Sequence, residues 1–227
     1  MISNWKAPLP SGKVSEEMLL SMEQGRAKRV LILPAWFDEA NKLRRFTVEA
    51  MRALDEAGVD SFLPDLPGTN ESLAPLEAQT IASWQAAAKE ASQHVCATHV
   101  LAIRAGAIIA PEDLPGWHYA PQSGPKQLRA MLRARTIASR EAGIDENSEG
   151  LMDTGRSEGL VLAGWRIGAE MLREMETAEP RAVEAQKTIV QKELGGRALW
   201  LRAEPGEDEA QSAALAAIVS GGRNESA

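Results

Sequence analysis

Val100-Leu101-Ala102-Ile103-Arg104-Ala105-Gly106-Ala107 decides how this chain is read. A short apolar run of this kind reads as a buried strand. It ends at Ile103, and small residues crowd the positions around the next one. A sharp strand-to-helix turn needs such small neighbours, because its apex residue sits in a strained conformation. The spacing is that of G-x-S-x-G, with Arg104 where the serine would stand. Arginine stays protonated at any ordinary pH and offers no usable nucleophile.

Working outward, Val30–Leu33 reads as a buried strand closed by Pro34. The loop Ala35 to Ala40 follows. Asn41 is a plausible N-cap for a helix to about Ala57, with Leu43, Phe46, Ala50 and Leu54 on one face and Gly58 as its stop. Val59–Leu63 reads as the next strand, and Pro64–Asn70 as a turn-rich loop. A second helix is expected from about Pro75 to Ala91, then the strand Thr98–Ile103. This alternation predicts a mostly parallel α/β sheet flanked by helices. Such sheets bind ligands beyond the carboxyl ends of their strands. The loops at 35–40, 65–72 and 104–106 share that edge.

The flanks are less regular. Residues 1–28 are polar and mixed, with a short helix expected around Glu16–Met22 and no clear first hairpin. Beyond Ala110 the pattern gives a short strand Trp117–Ala120 and a helix from about Pro125 to Ala142. A polar connector Ile144–Ser157, a strand-like Gly159–Ile167 and a helix Gly168–Thr177 come next. Arg197–Ala203 reads as a last strand and Glu207–Ser220 as a last helix. The expected organisation is one domain over 1–227. Its core covers about 28–110 and 178–220, a lid or cap about 111–177, and a frayed tail 221–227.

At 227 residues and 44% hydrophobic content the chain can bury a real core. No apolar run reaches membrane-span length. A net charge of −7 argues against general nucleic-acid binding. The start, Met1-Ile2-Ser3-Asn4-Trp5, lacks a positive-then-apolar leader, and a single cysteine, Cys96, fits a reducing compartment. A cytoplasmic location is expected. Cys96 reads as a helix-end or core residue, and the six tryptophans as core and lid packing. No spacing suggests a metal site, and Pro67-Gly68-Thr69 lacks the frame of a phosphate loop. Neither metal nor cofactor is expected.

Several segments resemble one family, the second type of exosortase A system-associated hydrolase, an α/β-hydrolase-like group. Leu33-Pro34-Ala35-Trp36-Phe37-Asp38-Glu39-Ala40-Asn41-Lys42-Leu43-Arg44-Arg45 is similar to its PPF-x-E-E-M-N-K-x-R-R segment, the most specific likeness. Leu63–Gly68 resembles its P-D-L-x-G strand end. Ile103–Ala107 resembles its L-R-x-G-A turn, which also carries arginine in the serine position. Gln122–Leu128 with Met131–Arg135 resembles its SGKQ…FLRL helix, and Val161–Trp165 its V-A-G-Y segment. The likeness spans most of 30–220. The helix after the turn is short here, stopping at Ala110-Pro111, and Trp165 replaces the tyrosine. The resemblance implies an α/β-hydrolase-like fold and a link to exosortase or exopolysaccharide systems.

In that fold a histidine near the C-terminus serves as base. The histidines here are His94, His99 and His118, all too early, and Glu204-Pro205-Gly206-Glu207-Asp208 offers no imidazole. Nucleophile and base are both missing, so serine-type hydrolysis is not expected. Arg104 has two readings. One is a buried ion pair with Asp38 or Glu39 that locks the cleft; Asp65 is a further facing carboxylate. The other is an anion-binding cleft, with Trp36, Lys42 and Arg135 as further ligand-binding residues. The first carries more weight, because a partly buried charge is normally paired within the protein.

On the helix at 125–142, Lys126, Arg129, Arg133 and Arg140 form one basic stripe, read as a solvated face. Arg135 sits among Leu128, Met131 and Leu132 and is expected to point into the cleft. Two functions follow. The favoured one is a non-catalytic binding or accessory protein of an exopolysaccharide or exosortase system, recognising an anionic small molecule, a carbohydrate precursor or a protein partner. The alternative is a hydrolase or transferase on an ester or glycan precursor. Asp38, Glu39 or Asp65 would then act as base and Arg104 would stabilise negative charge.

Overall fold

Val30, Leu31, Ile32 and Leu33 are all inaccessible to solvent, and so are Val100, Leu101, Ala102 and Ile103. Side chains alternate across a strand, so an unbroken apolar run needs cover on both faces. Leu31, Leu33, Val100 and Ala102 feed one core, and Val30, Ile32, Leu101 and Ile103 feed the other. A computed structural model describes residues 1–221.

The chain opens with strands β1 (Ile2–Pro8), β2 (Val14–Met22) and β3 (Arg29–Leu33), then helix α1 (Phe37–Glu56) and β4 (Asp60–Pro64). A 3-10 turn at Leu76–Ala78 leads into α2 (Ile81–His94) and β5 (His99–Ile103). After β5 comes a single 3-10 segment, Arg104–Ile109, and then β6 (Gly116–Tyr119). A segment inserted between β6 and the last strand, called the cap below, follows: α3 (Gly124–Glu141), α4 (Ser148–Glu158), the hairpin β7 (Leu160–Leu162) and β8 (Trp165–Ile167), and α5 (Ala169–Met175). The chain returns through β9 (Gln186–Ile189), α6 (Gln191–Leu194), a 3-10 turn at Leu199–Leu201 and α7 (Glu209–Ser220).

The main sheet has the order β1-β2-β4-β3-β5-β6-β9. β3, β4, β5, β6 and β9 are parallel, and β1 and β2 add an antiparallel edge. This is the parallel α/β sheet expected, with the turn after β5 at its carboxyl edge. α1 and α7 pack together on one face, while α2 covers the other.

Five expectations are corrected. Glu16–Met22 belongs to strand β2, not a helix, and forms a first hairpin with β1. Its inward positions include Glu17 and Ser21, so polar residues interrupt the two-residue apolar rhythm. Helix α1 begins at Phe37, not after Asn41; Asp38 and Glu39 in its first turn complement the helix dipole where Trp36 supplies no side-chain cap. The polar connector contains helix α4, capped by Asn147 Oδ1 accepting from the Gly150 N–H at 2.9 Å, with Leu151 and Met152 buried. The last strand is β9, a polar edge strand. Arg197–Ala203 holds only a 3-10 turn, and Leu201 lies open to solvent. The range expected as lid begins too early, since β6 within it pairs with β5 in the main sheet. Of the expected tail, residues 222–227 lie outside the described residues.

Two loci carry predictions. A Cβ added at Gly106 would sit 2.5 Å from the Pro34 carbonyl oxygen and 2.6 Å from that of Leu33. Gly106→Ala is expected to destabilise by about 1–3 kcal/mol in a thermal or urea melt. The control Gly150→Ala, with only Asn147 Oδ1 at 3.5 Å, should hold or raise stability. In the cap, hydrogen bonds from Arg135 and Ser139 hold the Glu146 carboxyl down at about 2. A carboxylate lowered on folding stabilises above its unfolded value and loses that contribution as pH falls through the folded one. Glu146→Gln should therefore be less stable than the parent at neutral pH, with the difference closing between pH 4.5 and about 2.

Candidate functional site

Arg104 has φ 55°, in the left-handed region that residues other than glycine rarely adopt. The conformation turns the backbone sharply from β5 into the 3-10 segment. Gly106 lets that segment lie against the β3 strand end, where any side chain would collide with Leu33 and Pro34. The turn thus has the form of a nucleophile elbow, built around an arginine. Arg104 is only 8% exposed, and nearly every polar atom of its guanidinium is held.

Glu39 accepts from Arg104 twice, from Nε to Oε2 at 2.9 Å and from Nη2 to Oε1 at 3.2 Å. Nη1 donates to the Ala120 carbonyl at 2.6 Å, and Nη2 also donates to Gln122 Oε1. Gln122 is itself anchored, since its Nε2 donates to Gln127 Oε1 at 2.6 Å and its N–H to the Arg104 carbonyl at 3.2 Å. The Trp200 ring lies over the guanidinium, 4.1 Å from centroid to Cζ. A planar cation is therefore gripped by a carboxylate at its edge and an aromatic face above it.

The electrostatics show what this burial does. Desolvation pushes the Glu39 carboxyl above its usual range even though Arg104 pulls it down. Tyr119, which packs edge-on against Trp200 at 5.9 Å, has its phenol pushed up by burial and donates to Gln191. The ion pair sits where ionisation is expensive, so separating the partners leaves an uncompensated buried charge.

The other residues singled out in the sequence go elsewhere. Asp38 pairs with Lys42 at 2.7 Å on the outer side of α1. Asp65 accepts from Asn70 Nδ2 at 2.6 Å and from Arg44 at 3.3 Å, and burial pushes its carboxyl up. Arg135 does not join Arg104. It forks onto Glu146 at 2.8 and 2.7 Å and donates to the Val161 carbonyl at 2.8 Å, tying α3 to the cap hairpin. His94 is exposed, His99 stacks on Trp117 at 5.6 Å, and His118 is buried in β6, where burial lowers its pKa. None of the three is among the partners of Arg104. Cys96 is exposed at the end of α2. Among the described residues, no cluster of His, Cys, Asp or Glu could hold a metal ion.

Trp36 packs inside an aromatic group with Phe37, Trp84 and Trp165 at centroid distances of 6.3 and 5.1 Å to the first two, and Phe37 meets Trp165 at 5.8 Å. Phe37 too has φ 55°. A cavity of about 30 Å³ lies here, with Trp165 of β8, Arg44 and Asn70 among the residues that line it. Gln122 and Trp200 were missed from the sequence. The Gln122-Ser123-Gly124 resemblance marked the first without giving it a role, and nothing local to Trp200 points back to a residue 96 positions earlier.

No protein-family model matches the chain, and no curated protein sequence matches it. Solved structures do match. The α/β hydrolase domain-containing protein 10 from mouse aligns over 95% of this chain and 96% of its own, with TM-score 0.55 and 12% identity. A putative hydrolase from Agrobacterium vitis S4 aligns over 96% and 99%, with TM-score 0.52 and 14% identity. An epoxide hydrolase from Vigna radiata is matched over 52% of this chain and only 40% of its own, with TM-score 0.41 and 18% identity. Identities this low speak for architecture alone. With the parallel sheet, the elbow after β5 and these full-length matches together, the chain has the α/β-hydrolase fold.

Proposed function

We propose that this protein is a non-catalytic member of its fold, a cytoplasmic binding or accessory protein of an exosortase or exopolysaccharide system. One observation carries the first half: the elbow position is filled by Arg104, whose guanidinium is held by Glu39, Ala120, Gln122 and Trp200. Acyl transfer at this position needs a nucleophile, a base to activate it and space for substrate. Arginine supplies no nucleophile, and no histidine is among its partners. The segments similar to the exosortase-associated family support the second half.

The alternative, a hydrolase working through a carboxylate base and Arg104, draws less support. A base must reach water or substrate. Glu39 spends both oxygens on Arg104, and Asp38 lies on the outer side of its helix beside Lys42. Asp65 keeps one oxygen, Oδ2, without a partner, but its other is bound by Arg44 and Asn70. An anion reaching Arg104 would have to displace Glu39 from a bidentate pair. Recognition by an outer surface is therefore favoured over recognition in the cleft.

A serine-reactive fluorophosphonate should leave the protein unlabelled, and short-chain p-nitrophenyl esters should not turn over above background. Arg104→Ser should not create activity, because no base is in place. Site-specific labelling of the parent protein, or turnover that Arg104→Met abolishes, contradicts the reading. The link to an exopolysaccharide system is tested in the native host: deleting the gene should lower polysaccharide or sorted-protein output, and unchanged output overturns that half alone.

A further inference from the structure

The cap helix α3 carries five cations, Lys126, Arg129, Arg133, Arg135 and Arg140, against one carboxylate, Glu141. They divide cleanly by position. At 100° per residue, Lys126, Arg129, Arg133 and Arg140 fall within an arc of about 60°, and Arg135 points about 180° from Lys126. Arg135 is the one that is paired, to Glu146. The outward four are exposed and form no salt bridge and no side-chain hydrogen bond among the described residues. This happens in a chain of net charge −7, so the stripe is a local segregation of charge and not a general excess.

The same face holds one large apolar residue. Ile137 projects between Arg133 and Arg140 and is 47% exposed, and Ile144 just past the helix is 55% exposed. Ala130, flanking Ile137 on the helix surface, is exposed and small. From Lys126 to Arg140 the line of charge runs about 21 Å along the helix axis.

We infer that this face of α3 docks on an anionic lipid headgroup layer. Leu128, Met131 and Leu132 of α3 are buried within the protein, so the contact is that of a basic surface patch, made by the four cations with Ile137 beside them. The four cations project from one helix face without side-chain partners among the described residues, and an extended anionic layer can meet all of them at once. The acidic remainder of the molecule is repelled by the same headgroups, which leaves α3 as the side that approaches. No helix among the described residues is long and apolar enough to cross a membrane, so the attachment is peripheral. The inference stands apart from the reading of Arg104, since none of these residues touches the cleft.

The test is co-sedimentation of the full chain with phosphatidylcholine vesicles, with and without about one third phosphatidylglycerol, at low and high salt. Binding is expected to the anionic vesicles only and to fall as salt rises. The variant Lys126→Gln/Arg129→Gln/Arg133→Gln/Arg140→Gln should bind at least about 100-fold more weakly, at about fivefold per cation, with an unchanged melting curve. Ile137→Ala should weaken binding by a smaller factor, and Lys187→Gln/Lys192→Gln, in β9 and α6, should leave it intact. Failure to bind anionic vesicles overturns the proposal, and so does binding that survives the fourfold substitution. Salt-sensitive capture of polyglutamate without vesicle binding overturns it in favour of an acidic polypeptide.

Discussion

One buried contact organises the carboxyl edge of this sheet: the fork between Arg104 and Glu39. It joins the turn after β5 to the first turn of α1. Because the cation is buried, it must be satisfied locally, and its remaining donors draw in the Ala120 carbonyl after β6 and Gln122 at the entrance to the cap. Trp200, from the segment before α7, closes the top. Three separate stretches of chain therefore converge on one guanidinium. A hydroxyl in the same place would bind far fewer partners and would leave the edge open.

The pair is not a large net source of stability. Burial already makes an ionised Glu39 costly, and a well-packed apolar pair of similar volume would serve the fold about as well. Its consequence is specificity of arrangement. The strained φ of Arg104 is held because the side chain has a fixed destination, and strain of this kind persists where surroundings over-determine it. In an enzyme of this architecture the strain presents a nucleophile. Here it presents a tie to Glu39.

Much of the architecture was legible because β3 and β5 are buried on both faces and advertise it as continuous apolar runs. The elements that escaped notice break that correspondence for physical reasons. β2 turns Glu17 and Ser21 inward, β9 is a polar strand at a sheet edge, and α4 is held by a cap and two buried residues amid polar sequence. At the site, the sequence narrowed the partner of Arg104 to a few carboxylates. Choosing among them needed the true start of α1: with Phe37 as its first residue, Asp38 and Glu39 point about 100° apart and only Glu39 faces the turn. Arg135 points away from the expected cleft because Glu146 lies in what reads as a polar connector, and the approach of the Val161 carbonyl to α3 is a long-range contact that no local pattern encodes. Trp200 depended on long-range packing that no local pattern encodes.

The measurement that bears most directly on this account is a double-mutant cycle between Arg104→Met and Glu39→Gln, read by urea unfolding at neutral pH. The account predicts that Arg104→Met alone destabilises by about 3 kcal/mol or more, because Glu39 is left buried and unpaired. Adding Glu39→Gln should recover a substantial part of that loss, giving a coupling of about 1–3 kcal/mol. Additivity of the two substitutions to within about 0.5 kcal/mol would contradict it, and would mean that Arg104 is free in solution to meet something other than Glu39.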